Sequence, residues 1–194
     1  MQNTAFAYQS KDETNLVADY PILPSTRKFW KKVLDVIDTA GTQGQLRSQL
    51  RIVDESVKSI AEANLGTLIP GDFVYEQKEQ QLLQNARLLN DTYNMIVEKK
   101  AGSEEEKLQG RILSIAFLLD QLPPDLPGGT PKSNKDTIAD LLISDLTQST
   151  DAFRLAVNKG IDTLLDQKLL MPIGDEVRLQ TKAGQEWEKE YIAQ

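Results

Sequence analysis

From Leu108 to Leu119 the apolar residues Leu108, Ile112, Leu113, Ile115, Ala116, Phe117, Leu118 and Leu119 fall on nearly every side of a helix rather than along one stripe. A helix without a polar face has to be wrapped by other elements, which makes this segment the centre of a helical bundle. Its start is marked as well. Ser103 and Glu106 form an S-x-x-E capping box, and Glu104, Glu105 and Glu106 sit where negative charge complements the helix dipole. That acidic run therefore reads as a cap rather than a metal site, and the central helix is expected from Ser103 to about Leu122.

The neighbours of this helix follow from periodicity and turn chemistry. Residues up to Asp19 lack a sustained period and suggest a tail or a short extended piece. Pro21 and Pro24 in Tyr20-Pro21-Ile22-Leu23-Pro24 keep a helix from beginning before Ser25. Phe29, Val33, Val36 and Ile37 then predict a helix of about 13 residues. Gly41 ends it, Thr42 with Gln45 caps the next, and Leu46, Leu50, Val53, Val57 and Ile60 give that next helix an apolar stripe for the core. Pro70-Gly71-Asp72 is turn chemistry. Beyond it Phe73, Leu82, Leu83, Ala86, Leu89, Tyr93, Ile96 and Val97 keep a helical period to about Lys99, with a break expected near Lys78.

Leu122-Pro123-Pro124-Asp125-Leu126-Pro127-Gly128-Gly129-Thr130-Pro131 reads as a linker, so the expected division is a tail at 1–19, a helical region at 20–121, a linker at 122–134 and a second unit at 135–194. That unit reads as a helix from Asp136 to about Leu146, one or two helices between Ser149 and Gln167, a hairpin turning at Gly174-Asp175, and a last helix capped by Thr181 with Trp187 and Tyr191 on one side. Helices followed by a β-hairpin are the order of a winged helix. The expected fold is mainly α, a helical bundle followed by a winged-helix-like domain with one β-hairpin.

Composition excludes several chemistries. Among 194 residues there is no Cys and no His, which removes disulfides, thiolate and imidazole catalysis and zinc sites. No Gly-Lys dipeptide occurs, so no P-loop is present. No carboxylate pair is marked by spacing for acid/base work. No apolar run approaches the ~18 residues that span a bilayer, and the expected location is cytoplasmic, with no membrane contact.

The net charge of -7 opposes nonspecific attraction to nucleic acid, and residues 135–194 carry seven basic against eleven acidic residues. A helix bearing Asp151, Arg154, Lys159 and Asp162 is a poor groove reader, so the winged helix is expected to contact protein, with a DNA-binding regulator as the weaker alternative. Residues 20–60 run the other way, with seven basic against four acidic residues. Arg27, Lys28, Lys31 and Lys32 crowd the start of a helix, where cations oppose the dipole, and are candidates for contact with an anion or acidic surface. Arg47 and Arg51, one turn apart, can point together at an anion. Trp187 completes the interaction candidates.

Several stretches carry a resemblance. Tyr20-Pro21-Ile22-Leu23-Pro24 with Arg27, Phe29 and Trp30, then Gly44-Gln45-Leu46-Arg47-Ser48-Gln49-Leu50-Arg51-Ile52-Val53, Ile69-Pro70-Gly71-Asp72-Phe73-Val74-Tyr75, Ile138-Ala139-Asp140-Leu141-Leu142, Leu170-Met171, and Arg178 through Glu188, taken in order, resemble the large P-loop ATPase of BREX bacteriophage-resistance systems. The resemblance implies a piece lying C-terminal to an AAA-like nucleotide-binding core, with residues 20–130 as the helical lid and adjoining helices. It implies that Arg47, with Arg51 in reserve, matches the sensor arginine of such lids. ATP and Mg would belong to the parent protein, whose upstream P-loop core and other defence-system proteins are the implied partners. The piece by itself is expected to need no cofactor and to show no ATPase activity. The competing expectation is a free-standing helical or winged-helix adaptor.

Overall fold

The computed structural model describes residues 4–38 and 41–180. Within them the fold is mainly helical, with a two-stranded antiparallel hairpin. A 3₁₀ helix, Ser10–Asn15, leads into the short α1, Leu16–Asp19; then come α2, Pro24–Ile37, α3, Gly41–Ser59, α4, Phe73–Gln84, α5, Asn90–Lys100, and α6, Glu104–Asp120. The C-terminal part holds α7, Lys135–Leu142, α8, Thr150–Asp166, and strands β1, Leu170–Ile173, and β2, Glu176–Leu179. No helix among the described residues is long and apolar enough to cross a membrane.

Helix α6 is the centre, as its all-round apolar surface requires: every residue from Ile112 to Leu119 is buried. The Ser103 hydroxyl accepts the Glu106 N–H while the Glu106 carboxylate accepts the Ser103 N–H at 2.9 Å, so the expected box is formed. Around α6 pack α4 and α5 from earlier in the chain and α7, α8 and β2 from later in it. Gly110 lets α5 come close, since a Cβ there would lie 3.1 Å from the Lys100 backbone nitrogen.

The N-terminal segment is built in rather than trailing. Phe6 is buried edge-on against Phe29 with ring centroids 5.9 Å apart, and residues 10–19 are helical instead of extended. The missing periodicity reflects two short helical pieces anchored by one aromatic ring. Helix α2 begins at Pro24, whose fixed φ suits the first helical position, and buries Phe29, Trp30, Val33, Leu34 and Ile37. The prolines before it meet the turn at 66–72: Ile69 N–H donates to Pro21 C=O at 3.1 Å, Gly66 N–H to the Tyr20 hydroxyl at 3.0 Å, and the Trp30 indole N–H to Gly71 C=O at 2.9 Å. The same turn is tied to the far side of the chain, where Gly71 N–H donates to Leu141 C=O at 2.6 Å and Leu68 N–H to Ser144 C=O at 2.8 Å.

The long helical region to Lys99 is two helices, and the break falls at residues 85–89, not near Lys78. Ala86 takes a left-handed φ of 54°, and Leu82 C=O accepts both Arg87 N–H and Leu88 N–H, which closes α4. The Pro/Gly-rich stretch 122–134 has no helix or strand, yet it is fastened. Thr130 Oγ1 donates to Pro123 C=O at 2.8 Å and accepts Leu126 N–H at 3.0 Å, Gly129 C=O accepts Ala5 N–H at 2.9 Å, and Leu122 and Leu126 are buried in a hydrophobic cluster drawn from both sides of the stretch.

Helix α7 stops at Leu142, short of the expected Leu146, because the backbone leaves helical geometry at Ile143, with φ -57° and ψ 124°, and Thr67 then pairs with Asp145 in a β-bridge. One helix, α8, fills 150–166. In the hairpin Pro172 faces Val177, Val177 points inward, and Gly174 at φ 64° makes the Gly-first turn. The expected last helix with Thr181, Trp187 and Tyr191 lies outside the described residues.

Candidate functional site

Helix α3 is laid down opposite to its hydrophobic pattern. Leu46, Leu50, Val53 and Val57 are 57%, 62%, 42% and 42% exposed, so the stripe expected to face the core faces solvent. The inward residues are Gln45, Ser48, Gln49, Ile52, Glu55 and Ser56, of which only Ile52 and Ser56 are fully buried. The physical reason is a set of polar partners supplied by α2 and α4.

Lys78 is 5% exposed, and its ammonium donates to Asp38 Oδ2 at 3.1 Å, Ser48 Oγ at 2.6 Å and Gln81 Oε1 at 2.9 Å. All three protons of the ammonium thereby find acceptors, which offsets the desolvation of a buried cation. Gln45 Nε2 donates to Asp38 C=O at 2.7 Å, and Gln49 Nε2 reaches Asp35 Oδ1 at 3.4 Å. A polar inner face met this completely leaves the apolar one outward. From sequence Lys78 marked only an expected helix break and carried no bonding role. The signal was a charged residue among Val74, Tyr75 and Leu82, on the buried side of α4.

Arg47 and Arg51 project from the outer side of α3. Arg51 makes a loose contact with Glu55 at 3.6 Å, and Arg47 has no ion-pair partner among the described residues. The cations at the start of α2 behave differently. Arg27 pairs with Asp19 at 2.9 Å, and Lys28 donates to Asp12 Oδ2 at 2.5 Å and to Ala7 C=O at 2.9 Å. The Lys28 hydrogen bond holds the buried Asp12 carboxyl below its ordinary range. The anion compensating half of that basic cluster is thus the chain's own N-terminal segment, leaving Lys31 exposed and Lys32 half-buried. Trp187 is outside the described residues.

On α8, Arg154 is bonded to Asp140 and lies 3.8 Å from Asp136, while Lys159 meets Glu105 at 2.9 Å. Lys135 of α7 meets Asp162 at 2.5 Å. A cleft of about 390 Å³ between the 66–72 turn and α6 is lined by Phe73, Glu76 and Arg111 among others. Its charges are spoken for: Arg111 makes a two-pronged contact with Asp72 at 2.8 and 3.1 Å and donates to Leu142 C=O at 3.2 Å, and Glu76 accepts from Lys100 at 3.1 Å. Arg111 is a structural tie between α6, the turn and α7, missed in the sequence because it flanks an apolar run. Among the described residues no group of three or more Asp or Glu is arranged to hold a metal ion.

The outward face of α3 therefore stands apart: apolar, arginine-bearing and uncovered by any described residue. Comparison with protein-family models, curated proteins and solved structures finds no match for the chain.

Proposed function

We propose that the chain is a non-catalytic contact module of a large P-loop ATPase of the BREX phage-resistance type, an AAA-type lid with adjoining helices followed by a winged-helix-like unit, which couples nucleotide state to protein contacts. The observation that carries this reading is the outward face of α3, where Leu46 and Leu50 lie exposed beside Arg47 and Arg51. An apolar patch rimmed by cations suits docking on another protein surface rather than on solvent. On a nucleotide-holding core, Arg47 would reach the γ-phosphate and Arg51 would stand in reserve, so that loss of that phosphate loosens the contact. ATP and Mg would be held entirely by that core.

The winged-helix-like unit fits a protein partner better than DNA, because Lys135, Arg154 and Lys159 are already engaged by carboxylates of the same chain. In the parent protein Arg47→Ala lowers ATP turnover without loss of fold; unchanged turnover rejects the sensor assignment. A free-standing adaptor would use the same α3 face, and a reading frame that does not continue upstream into a P-loop sequence would favour it.

A further inference from the structure

The exposed residues of α3 follow a stricter pattern than a generic apolar patch. Leu46, Leu50, Val53 and Val57 are spaced four, three and four apart, the alternation of a coiled-coil seam in which Leu50 and Val57 take the a positions and Leu46 and Val53 the d positions. The seam ends there, since Ile60, the next d position, is partly buried against the core. In this register Arg47 and Asp54 occupy e positions and are exposed, while Gln49 and Ser56 occupy g positions turned toward the chain's own body. One edge of the seam is thus open and charged, and the other is closed.

We infer that this face pairs with the same face of a second copy of the chain, the two α3 helices running antiparallel across a twofold axis. In that arrangement a residues meet d residues, which sets Leu46 against Val57 and Leu50 against Val53 of the other copy, each large side chain opposite a smaller one. The e positions meet e positions, so Arg47 faces Asp54 of the other copy, and the symmetry makes that pair twice. A parallel pair would set Asp54 against Gln49 and leave Arg47 unmatched. The face is self-complementary in charge in one direction only. Asp54 is bonded within its own helix to Lys58, but both side chains are largely exposed, so that contact yields readily to another cation.

The seam spans about 17 Å at the rise of an α-helix, which places the association in the weak class. This inference goes beyond the proposed function, which concerns what α3 meets on a nucleotide-binding core. Self-pairing and core docking use the same side chains and exclude one another at any moment.

Sedimentation of the full chain from low to high micromolar concentration should follow a monomer–dimer equilibrium, with hydrogen exchange across residues 46–57 slowing as concentration rises. Leu50→Asp abolishes the dimer and leaves the helical signal intact. Arg47→Asp or Asp54→Arg alone sets like charges opposite one another twice and weakens dimerisation by roughly tenfold. Arg47→Asp with Asp54→Arg restores it. A monomer at every concentration overturns the inference, as does a dimer that survives Leu50→Asp or a double swap no better than the single ones. Slow exchange at residues 46–57 that does not change with concentration means that residues 181–194 or another part of the same chain cover the face, and also overturns it. No nucleotide enters these measurements, so they stand or fall apart from the effect of Arg47→Ala on ATP turnover.

Discussion

Ile52 and Leu50 are two residues apart on α3, and the structure assigns them opposite environments: Ile52 is 1% exposed and Leu50 62%. Truncating a fully buried isoleucine to alanine removes about 2–4 kcal/mol through lost transfer energy and the cavity left behind. Alanine's better helix propensity returns a few tenths of a kcal/mol. Leu50 keeps roughly a third of its surface from water, so Leu50→Ala removes about 1 kcal/mol at most, and the same propensity gain brings the net toward ~0.5 kcal/mol. For a chain of this size each kcal/mol moves the midpoint by about 2–4 °C, so Ile52→Ala should lower the Tm by roughly 8 °C and Leu50→Ala by about 2 °C. The assay is thermal or urea unfolding followed by helical circular dichroism at low micromolar protein, where mass action removes any contribution from self-association. Equal losses for the two variants, or a larger one for Leu50→Ala, would refute the outward orientation of the stripe and return α3 to the arrangement that periodicity alone suggests.

Two further outcomes test the polar interior. Lys78→Met leaves the Asp38 carboxylate buried without its cation and should cost about 3 kcal/mol, whereas Lys78→Met combined with Asp38→Asn should recover part of that loss in a double-mutant cycle by urea denaturation. At the C-terminal end of α6 the Asp120 carboxyl is pushed up to about 6 by burial, only partly opposed by Arg178 at 3.7 Å. The folded state therefore holds that proton more tightly than the unfolded chain, and the contribution of Asp120 to stability is greatest below its ordinary pKa and declines as pH rises through about 6. Asp120→Asn should accordingly raise the Tm over the parent chain at pH 8, with the difference vanishing near pH 4; a difference independent of pH would contradict the burial of that carboxyl.

Features encoded by neighbouring residues were legible in the sequence. The capping box at Ser103, the Gly174 turn and the all-round apolar surface of α6 each declare themselves within one helix or one turn. The side on which α3 is buried was not. A stripe at helical spacing shows that a helix has an apolar face, but the face it turns inward depends on what waits there, and Lys78 and Asp38 lie outside the helix itself. The break between α4 and α5 was misplaced for a related reason: Lys78 interrupts the apolar pattern but is fully bonded, whereas Ala86 fits the pattern and yet takes a left-handed backbone. Composition also misjudged 122–134, where one threonine hydroxyl and two buried leucines turn linker-like residues into a fastened loop. Of the candidate cations, exposure of Arg47 and Arg51 was consistent with their spacing, while the acidic partners of Arg27 and Lys28 came from a segment that periodicity did not resolve.

The way α6 is held has a mechanical consequence. One helix is gripped by α5 from before the Pro/Gly-rich loop and by α7, α8 and β2 from after it, so swinging one side of the chain against the other would mean dragging α6 out of half its contacts. That loop is thus a strap and not a hinge. Compliance lies instead at α3, whose described side chains bury a single apolar group, Ile52, and otherwise hold on by hydrogen bonds that can be exchanged for water one at a time. A pull on the outer face of α3 would be felt first as slack between that helix and the Lys78 cluster, with the body around α6 following as one stiff piece.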